Sequence, residues 1–121
     1  MNKFAIIVFA DASNGSDESL GRVLNALVLA NNLREQGTEF KLFFQGAGTR
    51  SIAILADANH PGHGLYAGIK ANITGASKAC AGVFAADTKD VKLLEEFHIP
   101  GIGGATSLAK YAQDEYTLVS F

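Results

Sequence analysis

Tryptophan is absent from the chain, cysteine and methionine occur once each, and proline appears only twice in 121 residues. A single cysteine, Cys80, excludes an internal disulfide. The opening apolar run FAIIVFA follows Lys3, lacks a small-residue cleavage site and is too short to span a bilayer. Together these lead us to expect a protein of the reducing cytoplasm with no membrane partner. Positive charge is scarce too. Ten Lys and Arg face twelve Asp and Glu, giving a net charge of -2 with no basic cluster, so the electrostatic footprint of a nucleic-acid binder is missing. No linker, repeat or low-complexity tract interrupts the chain, and the expectation is one domain over residues 1–121.

What the sequence does contain is alternation. Lys3 to Ala10 is an unbroken apolar run with β-branched and aromatic members, the mark of a strand covered on both faces. It ends in DASNGSD, where Ser16 or Asp17 is placed to cap a helix from Glu18 to Gln36. That helix is apolar well beyond one stripe, which predicts burial of two faces, one on the sheet and one on a neighbouring helix or another subunit. Gly37 stops it, and Thr38 to Phe44 reads as a second strand. A helix is expected over Thr49 to Ala56, another over Leu65 to Ile73 closed by Gly75, and a third strand in ASKACA. DTKDVKLLEEF reads as a helix capped by Asp87 or Thr88 and ending near His98, TSLAKYAQ as the last helix, and YTLVSF as the terminal strand. Strands alternating with helices predict a three-layer α/β/α sandwich with a mainly parallel sheet.

In such sheets reactive groups gather where the strands end at their carboxyl edge. Cys80 falls where a strand gives way to a helix, a position in which helix dipoles and nearby cations favour the nucleophilic thiolate. Cysteine is equally at home as a small buried hydrophobe, and Ala79 and Ala81 beside it suit tight packing. Arg22, Arg50 and Lys78 are the basic residues nearest the expected rim. QGAGTRS offers Gly46 and Gly48 ahead of a helix but lacks both the dinucleotide fingerprint and the P-loop ending. No nucleotide cofactor is called for. His60 and His63 supply two imidazoles in NHPGHG, too few ligands for zinc, and no metal site is expected. PGIGGATS forms another glycine-rich turn before the last helix.

Four segments, taken in order, carry a resemblance: KFAIIVFADASNGSDESLGRVLNALVLANNLREQGTEFKLFFQGAGTR, HPGHGLYAGIK, ACAGVFAAD and GIGGATSLAKYAQDEYTLVSF. Over essentially its whole length the chain resembles the DsrE/DsrF-like proteins. The resemblance implies a mostly parallel five-stranded sheet and assembly into homo- or hetero-oligomers, commonly trimers or hexamers. It also implies carriage of sulfur as a persulfide on a cysteine at the end of a strand, for which Cys80 is the counterpart. Relatives sharing these segments often hold a further cysteine three residues earlier, where this chain has Ser77, so a dithiol mechanism within one subunit is excluded.

Two functional readings follow. In the first, Cys80 takes sulfur from a persulfide or polysulfide donor and passes it to an acceptor protein. In the second, Cys80 is structural, and the chain is an oligomeric module in which Asp11, Gly46, Gly48, His60 and His63 hold a small anionic metabolite, or is a non-catalytic subunit of a sulfur-relay assembly.

Overall fold

The structure is a computed structural model that describes residues 2–121. Five strands form one parallel sheet: β1 (Phe4–Val8), β2 (Phe40–Phe44), β3 (Ile73–Ser77), β4 (Leu93–Leu94) and β7 (Thr117–Ser120), in the spatial order β4-β3-β2-β1-β7. The connections carry helices α1 (Asp17–Glu35), α2 (Ser51–Ala56), α3 (His63–Ile69), α4 (Lys78–Val83) and α5 (Leu108–Gln113). A separate antiparallel pair, β5 (Phe97–Ile99) and β6 (Gly103–Ala105), projects between β4 and α5.

One face of the sheet offers Ile6, Val8, Leu42, Phe44 and Ala76. Against it pack the apolar stripe of α1, including Val23, Leu27 and Ala30, together with Ile52 and Leu55 of α2 and Tyr66 and Ile69 of α3. Ser16 caps α1 by accepting the amide N–H of Ser19, and Asp17 and Glu18 in the first turn complement the helix dipole. The second flank of α1 is covered within the same chain. Asn31 Nδ2 reaches the carbonyl oxygen of Leu65 at 3.0 Å, and Arg34 donates to that of Gly68, both on α3. The opposite sheet face, with Ala5, Ile7 and Phe43, is closed mainly by Tyr111 and Leu108 of α5 and by Tyr116. Helices therefore flank a parallel sheet on both sides, as the alternation of the sequence predicts.

Four local expectations are corrected. The third strand is Ile73–Ser77, not ASKACA, because β-branched Ile73 and Thr74 suit the sheet while residues 78–83 continue as α4 behind the cap Ser77. Gly75 accordingly closes no helix. It lies inside β3, where a Cβ would stand 2.6 Å from the carbonyl oxygen of Lys92, so glycine lets β4 approach. Residues 87–97 form no helix either: Asp87 accepts the backbone N–H of Lys89, closing a local turn, and the exposed edge of β3 recruits Leu93 and Leu94 as a strand. His98 thus lies in β5, opposite Gly104, and not at a helix end.

Candidate functional site

Because the strands are parallel, the segments that leave β1, β2 and β3 emerge at one edge. After β1 the chain reaches Asp11, whose carboxylate accepts the Ser13 amide N–H at 2.8 Å and the Ser13 hydroxyl, holding a short turn over Ala12–Asn14. After β2 it tightens into a turn over Gly46–Arg50. Gly48 is buried there, and a Cβ on it would lie 2.1 Å from the carbonyl oxygen of Val8. Only glycine lets this segment rest on the end of β1. The Ser51 hydroxyl ties the same two segments, donating to the Ala10 carbonyl oxygen at 2.8 Å and accepting the Ala12 N–H at 2.9 Å.

No loop follows β3. Ser77 ends the strand and caps α4, its hydroxyl accepting the backbone N–H of Cys80 at 3.3 Å. Cys80 is thus the third residue of α4 and is half-buried, neither sealed in the core nor fully open. Phe84, four residues on, closes this turn by donating its N–H to the Cys80 carbonyl oxygen at 2.9 Å. Residues four apart share a helix face, and the Phe84 ring lies 5.5 Å from the guanidinium carbon of Arg50.

Of the three basic residues near the rim, two are engaged elsewhere. Arg22 pairs with Glu18 along α1 at 2.8 Å, and Lys78 pairs with Glu95 at 3.1 Å. Arg50 instead reaches both neighbouring segments, with Nε donating to the Phe84 carbonyl oxygen at 2.8 Å and Nη1 lying 3.5 Å from Asp11 Oδ2. By strand register, Phe44 stands opposite Ala76, so Gln45 and Ser77 follow side by side. Among the described residues the side-chain oxygen of Gln45 is buried there without a hydrogen-bond partner.

Asp11, Gly46, Gly48 and Cys80 therefore belong to one rim, since α4 packs on the Gly46–Arg50 turn. His60 and His63 lie in the connection from α2 to α3. His60 Nδ1 accepts the Gly62 N–H at 3.0 Å, and His63 Nδ1 sits 2.8 Å from the Leu55 carbonyl oxygen, so both rings serve their own turn. Among the described residues no group of three or more His, Cys, Asp and Glu side chains could hold a metal ion. Reading the sequence did not reveal the groove along the other flank of α4. It encloses about 870 Å³ between α4 and the β5–β6 hairpin, with Val83, Leu93 and Ile102 beside Lys78, Glu95 and His98. The only signal for it was GIGG, in which Gly101 lies in the turn of the hairpin and Gly103 and Gly104 begin β6.

This architecture is similar to the crystal structure of the ychN protein from E. coli. The two chains are 25% identical, with a TM-score of 0.58, and the match covers 100% of each. YchN is a protein of DsrE-like fold, so the comparison supports the α/β architecture and a DsrE-like likeness for this chain. No protein-family model and no curated protein sequence matches it. The likeness to YchN extends from the first strand to the last, and the rim chemistry has to be argued from the residues of this chain.

Proposed function

We propose that the protein is a single-thiol sulfur carrier in which Cys80 holds a persulfide. The observation that carries this reading is the setting of Cys80: a half-buried thiol in the first turn of a helix that starts directly from a central strand of a DsrE-like fold. The Cys80 thiolate attacks the outer sulfur of a persulfide donor, R–S–SH. A new S–S bond forms, the donor S–S bond breaks, and the electron pair leaves on the donor as R–S⁻. The proton stays on the transferred sulfur and no external oxidant is consumed. An acceptor thiolate then attacks that outer sulfur and releases Cys80 as thiolate. With Ser77 three residues before it, Cys80 has no resolving partner in its own chain, so sulfur leaves only by transfer.

Cyanide strips outer sulfur from a persulfide as thiocyanate, and it supplies the test. After treatment with polysulfide and removal of excess reagent, the wild-type chain is expected to yield stoichiometric thiocyanate, and Cys80→Ser none. Equal yields from the two proteins overturn the reading.

Self-association is proposed alongside it, and the support is a cluster on the surface. Val83, Leu93 and Ile102 are 63%, 39% and 57% exposed and line one groove beside α4, and Phe97, 59% exposed, stands on the hairpin that bounds it. Large apolar side chains gathered in this way mark an interaction surface. The α1 helix, whose second flank α3 covers, lends this no support. The alternative of a metabolite-binding module finds less in the geometry, because His60 and His63 are engaged in their own turn and the Gly48 N–H is already donated to the Gln45 carbonyl oxygen.

A further inference from the structure

The structure assigns Arg50 and Asp11 as a positioning pair for Cys80: a clasp that latches the far end of α4 onto the end of β1 and thereby sets how open the thiol is. This rests on the carrier reading for the purpose it serves, but the clasp itself is argued from contacts. At six residues α4 is far too short to persist by its own propensity, so anchors at its two ends decide where it sits. The first end is fixed by the Ser77 hydroxyl. At the other, Phe84 closes the turn that begins at Cys80, and Ala85 then enters the left-handed region at φ 50°, so the helix cannot continue. What holds that end in place is Arg50, through the Phe84 carbonyl oxygen and the Phe84 ring.

Arg50 is aimed in turn by Asp11, a carboxylate 8% exposed and fixed by the backbone and hydroxyl of Ser13. One guanidinium therefore connects the segments that leave β1, β2 and β3. With the Arg50 side chain 45% exposed, its attraction to Asp11 alone is worth little. The fork is what matters, because Nε and Nη1 serve two acceptors at once and a lysine ammonium cannot reproduce that geometry.

The test is the rate at which iodoacetamide alkylates Cys80 in the native full chain, read beside the melting temperature. Unlatching the last turn is expected to raise the rate at least about threefold in Arg50→Ala and in Asp11→Asn, with no further rise in the double variant, because one local opening is shared. Arg50→Lys is expected to recover the melting temperature yet alkylate as fast as Arg50→Ala, a split that a purely structural role does not produce. Rates in Arg50→Lys and Asp11→Asn within experimental error of wild type, or rates that simply follow the melting temperature across the variants, overturn the clasp. Failure of the carrier reading appears elsewhere, as absence of sulfur uptake by the wild-type chain, so the two ideas fall separately.

Discussion

Tyr111 donates its hydroxyl to Glu96 Oε2 over 2.8 Å, joining α5 on the second sheet face to the connection between β4 and β5. Glu96 also accepts Lys110 Nζ at 3.0 Å and the Ser107 N–H at 3.1 Å. Burial pushes the Glu96 carboxyl up, but these three donors outweigh it and hold the group below its ordinary value. A lowered folded-state value means that the unfolded chain takes up the proton first on acidification. The contribution is therefore complete above the ordinary glutamate value of about 4.3 and is lost as pH falls below it. Glu96→Gln is expected to cost about 1–3 kcal/mol at neutral pH and to flatten the acid limb of stability. Denaturant melts at pH 7 and pH 4 check this; equal losses at both contradict it.

All three tyrosines are expected to keep their protons beyond the usual range. Burial raises Tyr66 and Tyr111, with Asp90 and Glu96 adding to it, and the hydrogen bond from Tyr116 to Glu39 pushes Tyr116 up to about 12. Since the unfolded chain releases these protons first, stability is intact below about pH 10 and declines as pH rises further. An absorbance titration of the folded protein is expected to run to higher pH than that of the unfolded chain while circular dichroism remains native. Ionisation of all three near pH 10 in the folded protein contradicts this.

Substitution at two glycines separates close packing from helix propensity. At Gly48 a Cβ meets the backbone carbonyl of Val8 at 2.1 Å, an obstruction that no side-chain rotation relieves. Gly48→Ala is expected to cost at least the upper end of the usual overpacking range, about 3 kcal/mol. Gly21, inside α1, has nothing within 4 Å, and Gly21→Ala is expected to gain about 0.5–1 kcal/mol. Thermal melts of both variants decide, and similar shifts contradict the packing argument.

Phe97 and Ile102 lie 59% and 57% exposed on the hairpin beside the groove. Phe97→Ser with Ile102→Ser is expected to reduce the sedimentation coefficient from that of an assembly toward that of one chain without lowering helix content. A wild-type protein that already sediments as a single chain contradicts the proposed self-association.

The sequence makes the central layers legible because their signals are strong and local. Lys3 to Ala10 could only be a strand buried on both faces, and Ser16, the acidic first turn and Gly37 bracket α1 to within a residue. The region from Thr74 to His98 is harder. Apart from Lys78, Ala76 to Ala81 are small residues without a helix or strand period, and where the strand gives way to the helix depends on Ser77 meeting the N–H of Cys80. Residues 87–97 have good helix formers, yet the open edge of β3 draws Leu93 and Leu94 into the sheet, a tertiary demand that no local pattern carries. At the site the cysteine and the glycines stand out by composition. Arg50 could not be chosen over Arg22 and Lys78 until the contacts showed which two were paired elsewhere.

Intact-mass analysis after brief exposure to polysulfide, under native conditions and without reductant, tests the central claim most directly. The account predicts that the wild-type chain gains the mass of sulfur, that peptide mapping places it on Cys80, and that Cys80→Ser gains none. A wild-type mass left unchanged, or sulfur found equally on Cys80→Ser, contradicts it.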